Sequence, residues 1–246
     1  MCMHYEHPLE VIIIGLGGIG SLVAFGLSYS LQPLRASETV RIVLVDGGHY
    51  RPEHRDHEYF DRLGNKAEVQ RRRLSAEFPS IIYRSISLYV AEQSGGNARA
   101  VSEIIQEGNW VLLGLDNHKS RKIVSDQCET LNNITVISGS NDGADTCTLQ
   151  VFIRREGKDI KPPLTYQHPH IENPLDSSPA DRVVNQSCEE RVCSGKQLPA
   201  TLFSCACLMQ NAFHTARRLE RSGRIGQFPY REIYWDIARA KYRVDL

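Results

Sequence analysis

The sequence predicts a doubly wound α/β protein built on a mostly parallel, Rossmann-like sheet. Three observations carry that reading. Strand-length apolar runs alternate with segments of helical spacing through most of the chain. The run Val11, Ile12, Ile13, Ile14 is continuously β-branched, as a strand buried on both faces requires. The glycine pattern GLGGIG, with Gly15, Gly17 and Gly20 in G-x-G-x-x-G spacing, stands between a predicted strand and a predicted helix.

In chain order, residues 10–15 read as the first strand. A helix follows over 18–31, with Ala24, Leu27 and Leu31 on one stripe and Pro33 ending it. Residues 40–45 form the next strand, with Asp46 at its carboxyl end. The polar stretch 49–64 reads as a long loop with a little helix. Residues 66–78 are helical, and Pro79 stops them. A strand is expected over 81–90 and a helix over 98–106, with Asn97 as its N-cap. A buried strand over 111–115 ends at Asp116, and a helix covers 119–131. Strands follow over 134–138 and 146–154.

The rhythm breaks over 157–197, where Pro162, Pro163, Pro169, Pro174 and Pro179 crowd the chain. Such a long irregular segment points to a functional loop or lid. A long helix over 200–221 and closing strands over 230–236 and 242–244 complete the reading. The whole is expected to be one domain, 1–246. It comprises a nucleotide-binding core (10–154), an irregular crossover or lid (155–199), and a C-terminal helix with strands (200–246).

Lys plus Arg equals Asp plus Glu at 29 each, so no broad attraction to nucleic acid or membrane is expected. No apolar run approaches the roughly 20 residues of a membrane helix. No secretory signal is visible at the N-terminus, and the odd number of cysteines, 7, favours a reduced, cytoplasmic setting.

The glycine loop gives the first chemistry. Glycines let the backbone approach phosphate, and the following helix offers unpaired N–H groups and a partial positive charge. Asp46 is placed to accept hydrogen bonds from ribose hydroxyls. Residues 10–46 are therefore expected to bind an adenine nucleotide, with Gly18 beside the loop. The loop alone does not separate ATP from a dinucleotide.

Four further segments bear on that choice: GLGGIGS at 15–21, VLVD at 43–46, GNKAEV at 64–69 and LDNHKSRK at 115–122. In this order they resemble the ThiF/MoeB/HesA superfamily, which includes the ubiquitin-activating enzymes. The resemblance covers roughly 10–154 and implies an Mg-ATP-dependent adenylyltransferase. Such an enzyme activates the C-terminal carboxylate of a small ubiquitin-like or sulfur-carrier protein, typically as a homodimer. It implies that Gly15, Gly17 and Gly20 cradle phosphates and that Asp46 holds the ribose. Lys66 would neutralise phosphate charge and Asp116 would bind Mg²⁺. Asn117 and Arg121 belong to the same motif, Arg121 alternatively making structural ion pairs.

The chain departs from the family after Asp46. An N-x-x-R-Q pattern that contacts the triphosphate is expected there, but residues 53–60 read EHRDHEYF. By spacing, His54, His57 and Glu58 take the Asn, Arg and Gln positions, and Arg55 is the available substitute. Position 48, where a second acid often stands, is glycine. An imidazole is a poor replacement for a guanidinium fork. A degenerate module that binds nucleotide or protein without catalysis is thus an alternative, and an NAD-dependent oxidoreductase is another.

Zinc is not expected. Cys188 and Cys193, and Cys205 and Cys207, lack the paired C-x-x-C spacing, and His49, His54 and His57 suit a polar loop edge. Cys205 and Cys207 read as core thiols. Cys188, near Arg191 and Lys196, is the candidate nucleophile. Cys128 and Cys147 read as structural.

Overall fold

The computed structural model describes residues 8–36, 38–56, 58, 60–142, 145–175 and 199–246. Cys188 and Cys193 lie outside the described residues, as does His57. Among the described residues, one nine-stranded sheet organises the chain. Its spine is β1 (Leu9–Ile14), β2 (Val40–Val45), β5 (Ile82–Ile86), β8 (Trp110–Leu113) and β9 (Ile134–Asp142), all parallel. From β9 onward the pairing turns antiparallel. β10 (Thr146–Arg155) pairs with β9, then with β11 (Lys158–Lys161) and β12 (Glu232–Asp236), and β12 pairs with β13 (Lys241–Asp245).

The period-two geometry of β1 explains why its whole run is apolar. Val11 and Ile13 join a core under α1 (Gly18–Leu31) and the long α6 (Pro199–Arg221). Ile12 and Ile14 join the core on the other face, with Ile123 and Val124 of α3 (His118–Glu129). All four are essentially inaccessible. The chain runs from β1 outward through β2 to β5, then returns to β8 on the opposite side of β1. That reversal leaves a crevice beyond the carboxyl ends of β1 and β8, where ligands bind in doubly wound sheets.

Three expectations need correcting. Residues 81–90 are two strands, because β6 (Tyr89–Ala91) leaves the main sheet to pair with β7 (Ala98–Ala100). The helix expected over 98–106 is therefore that strand and a single 3₁₀ turn, Val101–Glu103. Asn97 does not cap it; its carbonyl accepts from the Tyr89 amide at 2.9 Å, and the Ser94 hydroxyl holds the Ala100 amide at 2.8 Å. The irregular segment also contains order. β11 and the short helices α4 (Leu164–Gln167) and α5 (Pro169–Glu172) occupy it. Pro169 opens α5, where its missing N–H is harmless.

The polar loop after β2 is anchored by a two-residue pairing of β3 (His49–Tyr50) with β4 (Gly64–Asn65). The helix α2 (Lys66–Glu77) starts directly after it. The Asn65 side chain caps α2 by accepting from the Glu68 amide at 3.1 Å.

Candidate nucleotide site

A cavity of about 300 Å³ opens at the crevice. Gly15, Gly17, Gly18, Asp46, Lys66, Asp116 and Asn117 all line it, from segments far apart in sequence. The expected residues Gly20, Arg55 and Arg121 do not.

The glycine loop is built by close backbone contact. Gly15 has φ +84°, a left-handed conformation that side chains rarely adopt. A Cβ on Gly20 would stand 1.8 Å from the Gly15 carbonyl oxygen, so α1 cannot leave the loop so tightly with any other residue there. Gly20 thus shapes the loop from behind. Tyr50 braces it from the side: its hydroxyl donates to the Leu16 carbonyl at 2.9 Å and accepts from Gln70 Nε2 at 2.9 Å. Burial pushes the Tyr50 phenol well above its ordinary value, which keeps that donor protonated.

Asp46 crosses the crevice mouth. Its Oδ2 accepts from the Leu16 amide at 2.6 Å and its Oδ1 from the Gly48 amide at 2.7 Å. The carboxylate therefore ties the glycine loop to the turn after β2, with lone pairs left for a ligand. Position 48, a glycine, lies close to that carboxylate. A Cβ on Gly48 would meet Asp46 Oδ1 at 3.0 Å.

The opposite wall carries a charge cluster. Lys66 Nζ lies 2.5 Å from Glu58 Oε1 and 5.4 Å from the centre of the Tyr50 ring. His54 Nδ1 lies 3.1 Å from Glu58 Oε2 and 3.3 Å from the Arg51 amide nitrogen. One ring nitrogen thus faces an acceptor and a donor. Unprotonated, Nδ1 accepts from Arg51; protonated, it donates to Glu58. Glu58 is buried, which opposes its charge, but the neighbouring His54 and Lys66 outweigh that and hold its carboxyl below the ordinary 4.5.

Asp116 is exposed at the third wall, just after β8. Asn117 caps α3 by accepting from the Ser120 amide at 2.8 Å, and its Nδ2 is 3.3 Å from Asp116 Oδ1. Arg121 is buried beneath this corner and donates to the Leu115 carbonyl at 2.5 Å and the Gly139 carbonyl at 3.2 Å. It fixes the corner to β9 instead of facing the cavity. Arg55 is exposed, its guanidinium 5.8 Å from the Phe60 ring centre.

Sequence reasoning missed Tyr89 and Arg51 on the cavity wall. Burial raises the Tyr89 phenol, with the Asp46 charge adding to it. Asp116 suits Mg²⁺, which takes one or two carboxylates and completes its shell with phosphate oxygens and water. Among the described residues, no group of three or more His, Cys, Asp or Glu is placed to hold a metal.

The family model for the ThiF family matches residues 7–211. The chain belongs to the ThiF family. Among solved structures, this ThiF-family chain is similar to the Escherichia coli enzyme MccB bound to ATP, at 16% identity and TM-score 0.61. That match covers 96% of this chain and 63% of MccB. The structure described as the microcin C7 biosynthetic enzyme MccB with N-formylated MccA gives 17% identity and TM-score 0.63, covering 96% and 64%. PaaA gives 14% and 0.60, covering 96% and 62%. At these identities the likeness establishes the shared fold, and the chain spans less than two thirds of their length. Among curated proteins no sequence match was found. Among the described residues, no helix is long and apolar enough to cross a membrane.

The cysteines divide. Cys128, Cys147 and Cys205 are buried, and Cys207 is exposed. The expectation of a core thiol fails at Cys207 because residues two apart on a helix face opposite sides. Cys205 turns inward, its Sγ 3.6 Å from the Ser140 carbonyl oxygen.

Proposed function

We propose that this ThiF-family chain binds Mg-ATP in the crevice and adenylates the C-terminal carboxylate of a peptide or small protein. A ubiquitin-like or sulfur-carrier protein is the finer form of that substrate. The observation that carries the reading is the convergence of the glycine loop, Asp46, Lys66 and Asp116 on one cavity. The likeness to MccB, solved both with ATP and with MccA, supports it.

In this reading a carboxylate oxygen attacks the α-phosphorus of ATP. The bond to the bridging oxygen breaks, pyrophosphate leaves with the electron pair, and no proton need move. The α1 N-terminus and Lys66 stabilise phosphate charge, and Asp46 orients the ribose. Asp116 would hold Mg²⁺, which when bound would supply neutralisation of phosphate charge. Cys188 is proposed as a later acceptor of the activated acyl group, its thiolate forming a thioester as the acyl–phosphate bond breaks and AMP leaves with the electron pair. Homodimerisation and a cytoplasmic setting go with the same reading.

The test is exchange of labelled pyrophosphate into ATP in the presence of peptides ending in a free carboxylate. Exchange is expected with those peptides and not with their amidated forms, and it disappears in Asp116→Ala. Exchange unaffected by Asp116→Ala would reject the assignment. Thermal shifts with ATP and with NAD separate this reading from an oxidoreductase.

A second reading, nucleotide binding without catalysis, rests on the Glu58–Lys66 pair. It predicts ATP binding by calorimetry with no exchange for any carboxylate.

A further inference from the structure

Glu58 reaches from its own loop to the glycine loop. Its Oε1 lies 3.3 Å from where a Cβ on Gly17 would stand, and Gly17 is the N-cap of the 14-residue helix α1. The same oxygen is 2.5 Å from Lys66 Nζ. One carboxylate oxygen therefore sits over the glycine loop, at the positive end of a helix, and on an ammonium group. These are the three features that recognise a phosphate oxygen. The side chain is 4% exposed. Its Oε2 is buried, and its neighbour there is His54 Nδ1 at 3.1 Å, which donates to it only when the ring is protonated.

This is an expensive position for a carboxylate unless the site is built to hold an anion. A buried charge needs partners for both oxygens, and here one oxygen has the Lys66 ammonium and the other only a protonated His54 ring. Simple core packing would favour glutamine at 58, which keeps the shape without the charge. The charge makes sense as a stand-in that keeps Lys66 ionised and oriented before a ligand arrives.

We propose that Glu58 is an internal phosphate surrogate that sets the chain's affinity for phosphate-bearing ligands: a nucleoside polyphosphate enters by taking Lys66 and the glycine loop from it. This rests on the nucleotide reading above but not on catalysis. The released carboxylate must turn away, because it would otherwise face the phosphates at close range. Phosphate binding thus works against the Glu58–Lys66 pair, whereas the nucleoside end of the ligand, held at Asp46, is indifferent to it.

Calorimetry on the wild-type chain and Glu58→Gln tests this with ATP, tripolyphosphate and adenosine. Glu58→Gln is expected to bind ATP and tripolyphosphate at least about tenfold more tightly, a difference of about 1.4 kcal/mol. Adenosine affinity is expected to stay the same. Unchanged or weaker ATP binding by a folded Glu58→Gln chain, with adenosine still bound, would overturn the surrogate role and leave the nucleotide reading standing. Failure of both chains to bind any of the three compounds would remove both. A measurement on the wild type covers the case in which the variant does not fold. Saturating ATP is expected to shift the ¹³C resonance of the Glu58 carboxyl, and adenosine is not. No shift with bound ATP would also overturn the proposal.

Discussion

Two carboxylates face the same crevice, and they are held in opposite ways. Asp46 is gripped by backbone amides of Leu16 and Gly48, which are fixed by the strands and loop that carry them. Glu58 is held by the side chains of Lys66 and His54, which are separately mobile about their own bonds. An acid anchored on backbone is a permanent part of the site. An acid anchored on side-chain cations can be exchanged for another anion. The Asp46 side of the crevice is thus rigid, and the Glu58 side is exchangeable.

The sharpest way to break that contrast is Lys66→Ala. It strands Glu58 in a buried position, and losing one partner of a buried pair is expected to lower the unfolding free energy by about 3 kcal/mol in urea melts. Replacing both, as Lys66→Met with Glu58→Leu, is expected to restore most of that stability but no ATP affinity. Asp46→Ala comes next. Losing a charged acceptor shared by two amides is expected to cost about 2 kcal/mol. Its binding signature differs from that of Lys66→Ala: adenosine and ATP weaken together, whereas Lys66→Ala weakens only phosphate-bearing ligands.

Acid sharpens the comparison at smaller amplitude. The Glu58 carboxyl is held below its ordinary 4.5 in the folded chain. Its contribution to stability is therefore complete above pH 4.5 and is withdrawn as pH falls from there through the lowered folded value. Thermal melts of wild type against Glu58→Gln should show a difference that shrinks over that range. The smallest expected effect on stability is that of Asp116→Ala, within about 0.5 kcal/mol because the side chain is exposed, even though pyrophosphate exchange is lost.

Much of the parallel-sheet half was legible in the sequence because its signals are local. Val11 to Ile14 must be buried on both faces, and glycine at 15 and 20 answers a backbone requirement read directly from spacing. Asp46 and Asp116 follow strand ends and Lys66 opens a helix, so predicting the elements placed them at element termini. The Glu58 side of the crevice was only half legible. Aligning 53–60 with the family pattern singled out His54 and Glu58, but the pairing with Lys66 depends on how the loop folds back through β3 and β4. The helix expected over 98–106 failed for a related reason: a side chain from Ser94 and a strand from Tyr89 took the backbone groups that helix needed. Arg121 carried a motif signal, yet nothing local tells whether a guanidinium turns to a ligand or to carbonyl groups beneath it.

That guanidinium has a thermal consequence. By holding the Leu115 and Gly139 carbonyls together, Arg121 joins the Asp116 corner to two neighbouring parallel strands. The corner is then not a separately melting loop. On heating, hydrogen-exchange protection at the start of α3 should vanish in the same cooperative step as protection in β8 and β9, and the carboxylate there should keep its position until the sheet itself gives way.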